Sequence, residues 1–187
     1  MIIKSYEAEE KVALDVAQQM AVAARTAPKA CGADSIETVI LSGSEKSLLT
    51  DKMREIAIDT GLAFFTRDAG NIDNSHCIIL IGIKDDYLGL PHCGLCGLDN
   101  CGKAKSAGAV CSLKLTDLGI AIGSAVSIAA NNRIDNRVMY SAGKAALQLS
   151  IFDSPVKNCH GIPLATLGKS PFQDRAEQTG VLVTAKH

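Results

Sequence analysis

The feature that most restricts this chain is a run of cysteines near its middle. From Pro91 to Cys111 the sequence reads PHCGLCGLDNCGKAKSAGAVC, which spaces four thiols as Cys93-x2-Cys96-x4-Cys101-x9-Cys111. Four thiolates from one short segment supply a cubane cluster with one ligand per iron. Gly94 and Gly97 permit the tight turns that aim sulfurs and backbone N–H groups at a common centre. A [4Fe-4S] cluster is the leading reading of Cys93, Cys96, Cys101 and Cys111. Structural zinc is an alternative, although zinc commonly takes two C-x2-C knuckles and this segment has one. Thiols without metal, free or paired, are another. His92 could replace one cysteine, but an exposed or hydrogen-bonded histidine is the simpler reading. A thiolate-held cluster is anionic, and Lys103, Lys105 and Lys114 lie close in sequence.

At 187 residues the chain has the length of one domain. Area scaling lets such a chain bury roughly 70% of the surface its unfolded form exposes. The core therefore needs no disulfide staples, and clustered cysteines differ from the spread cysteines of a stapled mini-protein. The remaining three cysteines are scattered. Cys77 lies in an apolar run and reads as core. Cys31 follows the first helix. Cys159 precedes His160, and adjacent strand residues point to opposite faces, which argues against a shared thiol–imidazole site.

Aromatic residues make up 4% of the chain and Trp is absent, so the core must be aliphatic. Nineteen Lys and Arg against twenty Asp and Glu leave a net charge of -1. That balance excludes a disordered chain and a nucleic-acid binder driven by bulk positive charge. The halves differ: residues 1–90 hold 14 acids and 9 bases, and residues 91–187 hold 6 acids and 10 bases. The second half is suited to an anionic group such as a phosphate or an iron–sulfur centre. Met1 to Lys4 is followed by Glu7, Glu9 and Glu10 rather than an apolar stretch, so no secretory signal is expected. The longest uncharged run, residues 118–132, is too short to span a bilayer. The expectation is a cytoplasmic protein without a membrane partner.

Helices and strands alternate along the chain. Ser5 can cap a first helix with an apolar stripe at Val12, Val16 and Met20, which Pro28 ends near Thr26. Residues 36–41 read as a strand. A second helix begins at Ser44, buries Leu49, Met53, Ile56 and Ala57, and stops at Gly61. The unbroken apolar run CIILIGI, residues 77–83, predicts a buried central strand. Residues 89–111 carry turn signals and little periodicity. Thr116 can cap a long helix over residues 117–131, one face of which is built of Gly, Ser and Ala. Residues 136–140 read as a strand and 142–149 as a helix. Residues 161–167 read as a last strand, which Pro163 should place at an edge or turn out of the sheet. The class is α/β or α+β, layered around one sheet.

Two stretches carry a resemblance. Ala23-Ala24-Arg25-Thr26-Ala27-Pro28-Lys29-Ala30, and Asp117-Leu118-Gly119-Ile120-Ala121 continuing through Ala129-Ala130, resemble the nitroreductase family. In that family a basic, hydroxyl-bearing turn after the first helix holds the FMN phosphate, and the alanine-rich helix packs at a dimer interface. Gly161-Ile162-Pro163, followed by Lys169 and Arg175, is similar to the family's strand end and later basic residue. The whole chain is similar to the uncharacterised ferredoxin-domain-containing proteins of anaerobic bacteria and archaea, on residues 117–145 and the ending GIPLATLGKSPFQDR.

The resemblance implies one nitroreductase-like α+β domain over residues 1–187, a three-layer α/β/α sandwich. A ferredoxin-like iron–sulfur segment at residues 89–112 is inserted before the long central helix. It implies FMN held by Arg25, Thr26, Lys169 and Arg175, whose guanidinium, hydroxyl and ammonium groups suit a phosphate dianion. It also implies a homodimer. The function so implied is redox: electrons pass between cluster and flavin, then to a partner protein or a small-molecule acceptor. The alternative is a non-enzymatic iron–sulfur or zinc protein on the same scaffold without flavin, which the scarcity of aromatics favours.

Overall fold

The apolar run after His76 forms the strand around which the other elements are arranged. The computed structural model describes residues 1–173. Its helices are α1 (Ser5–Thr26), α2 (Glu45–Thr60), α3 (Phe64–Asp73), α4 (Cys101–Ser106), α5 (Ser112–Asn131) and α6 (Tyr140–Ala146). Its strands are β1 (Ile36–Ser42), β2 (Cys77–Lys84), β3 (Asp135–Asn136) and β4 (Val156–Ala165). They form one sheet in the order β1-β2-β4-β3, with every neighbouring pair antiparallel.

Strand alternation explains the three layers. From β2, Cys77, Ile79, Ile81 and Ile83 enter a core cluster with Val16 and Met20 of α1 and Leu118, Ala121 and Ala125 of α5. Ile78 and Leu80 enter the opposite cluster with Leu49 and Met53 of α2, Phe65 and Ile72 of α3, and Ala142 and Ala145 of α6. The result is the expected α+β sandwich, with α1 and α5 on one face and α2, α3 and α6 on the other. Among the large side chains fully buried, all are aliphatic or thioether except Phe65, Phe172 and Lys114.

Local signals set several boundaries as expected. Helix α1 ends at Thr26, two residues before Pro28, and α2 ends at Gly61, whose φ of 70° makes the left-handed cap. Other boundaries differ. Helix α5 begins at Ser112 with Cys111 at its N-cap, not at Thr116. The Thr116 hydroxyl instead donates to the Ser112 carbonyl inside the helix, at 3.0 Å. Starting earlier, α5 reaches 20 residues with a mean hydropathy of 1.4 over its most apolar window, enough to cross a membrane by length and composition. One face of it packs into the core: Leu118, Ala121, Ala125 and Ala129 are buried against α1 and the sheet.

The final strands correct two expectations. Strand β4 runs through Pro163 and lies inside the sheet, between β2 and β3. The proline acts on one side only. The pairs Asp135↔Ala165, Asn136↔Leu164 and Met139↔Gly161 share one register, which sets Arg137 opposite Pro163. Gly161 exchanges both backbone hydrogen bonds with Met139. The nitrogen two residues on, that of Pro163, faces the same side and has no hydrogen to donate. The ladder therefore breaks there, β3 is two residues long, and residues 136–140 are not the continuous strand their composition suggests. Helix α6 starts at Tyr140 and packs backbone to backbone on β4. A Cβ added at Gly143 would lie 1.8 Å from the Cys159 carbonyl oxygen.

Candidate functional site

The segment between β2 and α5 is shaped by backbone turns. His92, Gly89, Gly94, Gly97 and Gly108 all have positive φ. His92 is exposed, and histidine is among the non-glycine residues that enter this conformation more readily. The Gly97 N–H donates to the Gly94 carbonyl at 2.9 Å, closing the turn between Cys93 and Cys96. Asn100 caps α4 by accepting the Lys103 N–H at 3.0 Å, which sets Cys101 at the first position of that helix. The Ser112 hydroxyl donates to the Leu95 carbonyl at 3.1 Å, and the Tyr87 hydroxyl donates to the Ala109 carbonyl at 2.5 Å.

These ties bring Cys93, Cys96, Cys101 and Cys111 onto the wall of one small cavity, together with Tyr87 and Leu98. Cys111 is buried, the other three are half-buried, and all four are free thiols. Among the described residues no three His, Cys, Asp or Glu side chains converge on a single ion position. The four cysteines thus line one shared space. The donor set fits a cluster that takes one thiolate per iron.

Helix α5 joins this cavity to the turn after α1. Cys111 is its N-cap. One turn on, Lys114 is 1% exposed, and its ammonium donates to the Ala33 carbonyl at 2.6 Å. The Asp86 carboxylate stands 3.8 Å from that ammonium. Asp86 also accepts from the Ser35 hydroxyl at 2.9 Å and from the Tyr87 N–H at 2.8 Å. The Ser35 and Tyr87 hydrogen bonds, with Lys114 adding to them, hold the Asp86 carboxyl below the usual carboxylate range. A further turn along α5, Asp117 accepts the Ala30 N–H at 2.9 Å. Of the three lysines near the cysteines, Lys103 is exposed and pairs with Asp99, and Lys105 is exposed. Asp86, Tyr87 and Ser35 carry no motif in the sequence. Their signal is position: Ser35 precedes β1, Asp86 and Tyr87 follow β2, and the antiparallel pairing of the two strands brings these ends together.

The proposed phosphate residues are arranged differently. Arg25 and Thr26 lie exposed in the last turn of α1. Arg25 forms an ion pair with Asp34, and the Thr26 hydroxyl donates to the Val22 carbonyl at 3.1 Å. Burial opposes ionisation of Asp34, but Arg25, the Ile36 N–H and Lys29 together hold its carboxyl below the usual range. Lys29 closes the C-terminus of α1, donating to the carbonyls of Ala24, Arg25 and Ala27. Lys169 is exposed after β4, and among the described residues no hydrogen bond or ion pair joins it to Arg25 or Thr26. Arg175 lies outside the described residues. Cys31 is exposed with a φ of 56°.

The other cysteines are buried. Burial pushes the thiols of Cys77 and Cys159 up to about 12, so neither is a ready thiolate. Cys159 belongs to the cluster beneath α2, α3 and α6. By alternation His160 faces the opposite side, so the two do not form a site.

Residues 107–175 match the family described as "Uncharacterized protein containing a ferredoxin domain (DUF2148)". An uncharacterised protein from Archaeoglobus fulgidus is 43% identical over 165 residues, covering 84% of this chain and 88% of that one. The chain belongs to this ferredoxin-domain family. Its match takes in Cys111, Lys114, Asp117 and the Gly161-Ile162-Pro163 strand.

Solved structures show which fold the chain shares. Nitroreductase CinD from Lactococcus lactis in complex with chloramphenicol is similar with a TM-score of 0.61 and 12% identity, covering 83% of this chain and 79% of that one. A nitroreductase in complex with FMN from Desulfovibrio desulfuricans is similar with a TM-score of 0.55 and 10% identity, covering 92% and 85%. At such identities the likeness shows the fold alone. The ferredoxin-domain family on a nitroreductase-like fold suggests a redox role, and its ferredoxin domain suggests an iron–sulfur cluster.

Proposed function

We propose that the chain is a redox protein holding a [4Fe-4S] cluster on Cys93, Cys96, Cys101 and Cys111. In this reading residues 1–187 are one domain and residues 89–112 are its inserted ferredoxin-like segment. The single observation that carries it is the cavity lined by all four cysteines. The cluster supplies one-electron transfer when bound. The chain's part is to ligate it, to exclude water through Leu98 and Tyr87, and to hold the loop by the Ser112 and Tyr87 hydrogen bonds.

FMN is the second cofactor of the proposal, with its phosphate at Arg25, Thr26, Lys169 and Arg175. Support comes from the nitroreductase-like fold and the exposure of Arg25. An exposed ion pair such as Arg25–Asp34 contributes only roughly 0–1 kcal/mol, so a phosphate dianion can displace Asp34 from the guanidinium. The protein is further proposed to act in the cytoplasm as a homodimer. The outer face of α5 exposes Ile120 and Leu115 beside Gly119 and Gly123, which suits close helix packing. Electrons would leave to a partner protein or a small-molecule acceptor.

The second reading is an iron–sulfur or zinc protein without flavin. The engagement of Arg25 by Asp34 and of Thr26 by Val22 favours it. One anaerobic purification separates the readings. Iron, sulfide, zinc and flavin are assayed, and a spectrum is recorded. Brown protein with iron, sulfide and FMN supports the first reading, and iron and sulfide without flavin supports the second. Colourless protein with stoichiometric zinc overturns the cluster.

A further inference from the structure

We infer that Lys114 is the buried charge that balances the cysteine-held cluster and sets its reduction potential; this rests on the iron–sulfur reading above. A lysine 1% exposed has lost its water and needs compensation. Among the described residues its partners are one neutral carbonyl, that of Ala33 at 2.6 Å, and the Asp86 carboxylate at 3.8 Å, whose side chain is 55% exposed. Neither matches a fully buried ammonium: the carbonyl carries no charge, and solvent screens the carboxylate. Lys114 follows Cys111, the N-cap of α5, by three positions and lies in the first turn of that helix. Its helical neighbours Ser112 and Leu113 line the cavity, as does Tyr87, the residue after Asp86. Lys114 therefore stands on the turn of α5 that supplies Ser112 and Leu113 to the cavity wall, and its buried ammonium lies beside Asp86, one residue from Tyr87. A thiolate-held cluster is anionic and becomes more so on reduction, so a nearby fixed cation stabilises the reduced form.

Lys103 and Lys105 do not share this role. Both are exposed, and Lys103 is paired with Asp99. Asp86 works against Lys114, because its carboxylate offsets part of the positive charge. The two residues should therefore shift the potential in opposite directions, which a purely structural role would not produce.

The test is a redox titration of anaerobically purified full-length protein, wild type and the variants Lys114→Met, Lys114→Arg and Asp86→Asn, with iron and sulfide assayed on each. At a fixed applied potential, Lys114→Met is expected to lower the ratio of reduced to oxidised cluster by about tenfold, which is 59 mV for one electron. Asp86→Asn is expected to raise it by about threefold, and Lys114→Arg to stay near wild type. Variants that keep their iron and titrate with wild type overturn the inference while leaving the cluster reading intact. If Lys114→Met fails to fold, an unmoved potential in Asp86→Asn overturns it alone. Wild-type protein without iron and sulfide overturns both.

Discussion

The Asp117 carboxylate accepts the Ala30 N–H at 2.9 Å, joining α5 to the turn after α1 across 87 positions of sequence. Asp117 is 3% exposed, and its second oxygen has no hydrogen-bond partner among the described residues. A buried carboxylate accepting one backbone N–H contributes about 1.5–3 kcal/mol through that bond. Asp117→Ala is expected to lower unfolding stability by about that amount, measured by urea denaturation. Asp117→Asn keeps an acceptor for Ala30 and should cost less. Equal losses in the two variants would mean that the bond to Ala30 is not what holds the turn.

Metal content should separate the cysteine segment from the sheet. Neither core cluster includes Cys93, Cys96, Cys101 or Cys111. Cys96→Ser is expected to lose most of its iron and sulfide under anaerobic purification while keeping the wild-type far-ultraviolet circular dichroism. Cys31→Ser, which changes an exposed thiol outside the cavity, should keep both. Wild-type iron content in Cys96→Ser would remove that residue from the ligand set.

Backbone contact between α6 and β4 leaves no room for a side chain. A methyl at Gly143 would overlap the Cys159 carbonyl, and one at Gly161 would lie 2.6 Å from the Ala142 Cβ. Overpacking a core typically costs about 1–3 kcal/mol, and a clash with backbone exceeds that range. Gly143→Ala is therefore expected to destabilise by about 3 kcal/mol or more in chemical denaturation. A wild-type midpoint would contradict the close approach.

The proposed dimer face gives an opposite result for another helical glycine. A Cβ at Gly123 meets nothing within 4 Å in the single chain. Within one chain Gly123→Ala should stabilise α5 by about 0.5–1 kcal/mol. If a second copy packs on that face, the same methyl should weaken association. Light scattering is expected to show wild type at twice 19.6 kDa and the variant shifted toward monomer. Monomeric wild type would sink the dimer.

Stability should also report on His160. Burial holds its pKa below the usual 6.5, and its Nδ1 has no hydrogen-bond partner among the described residues. The unfolded chain therefore takes up the proton first. The contribution of His160 is fully present above pH 6.5 and is lost as pH falls below 6.5 toward the folded-state value. Urea midpoints measured at pH 7.5 and 5.5 should fall more for wild type than for His160→Gln. An equal fall in both would assign the loss to other groups.

How much of this was legible in the sequence depends on the range of the interaction. The run CIILIGI announced β2 because an unbroken apolar stretch needs cover on both faces. Pro28 and Gly61 marked helix ends because each acts on its own backbone. Helix α3 is not legible in the sequence, since Phe64–Asp73 is short and is ordered by packing of Phe65 and Ile72 against α2 and α6. The strand suggested by residues 136–140 failed because its partner carries Pro163, which only the register reveals.

The candidate site divides along the same line. Spacing alone marked Cys93, Cys96, Cys101 and Cys111 as a ligand set, because four thiols within nineteen residues can reach one object. Spacing also offered Lys103, Lys105 and Lys114 as equivalent cations. The tertiary structure made them unequal by burying Lys114 between Ala33 and Asp86 and leaving the others in solvent. It likewise turned Arg25 to Asp34, beyond the end of its own helix. Periodicity, turns and ligand spacing are local properties and can be read along the chain. Burial and the choice of charge partner depend on which distant segments the fold brings together, and they exist only once it has formed.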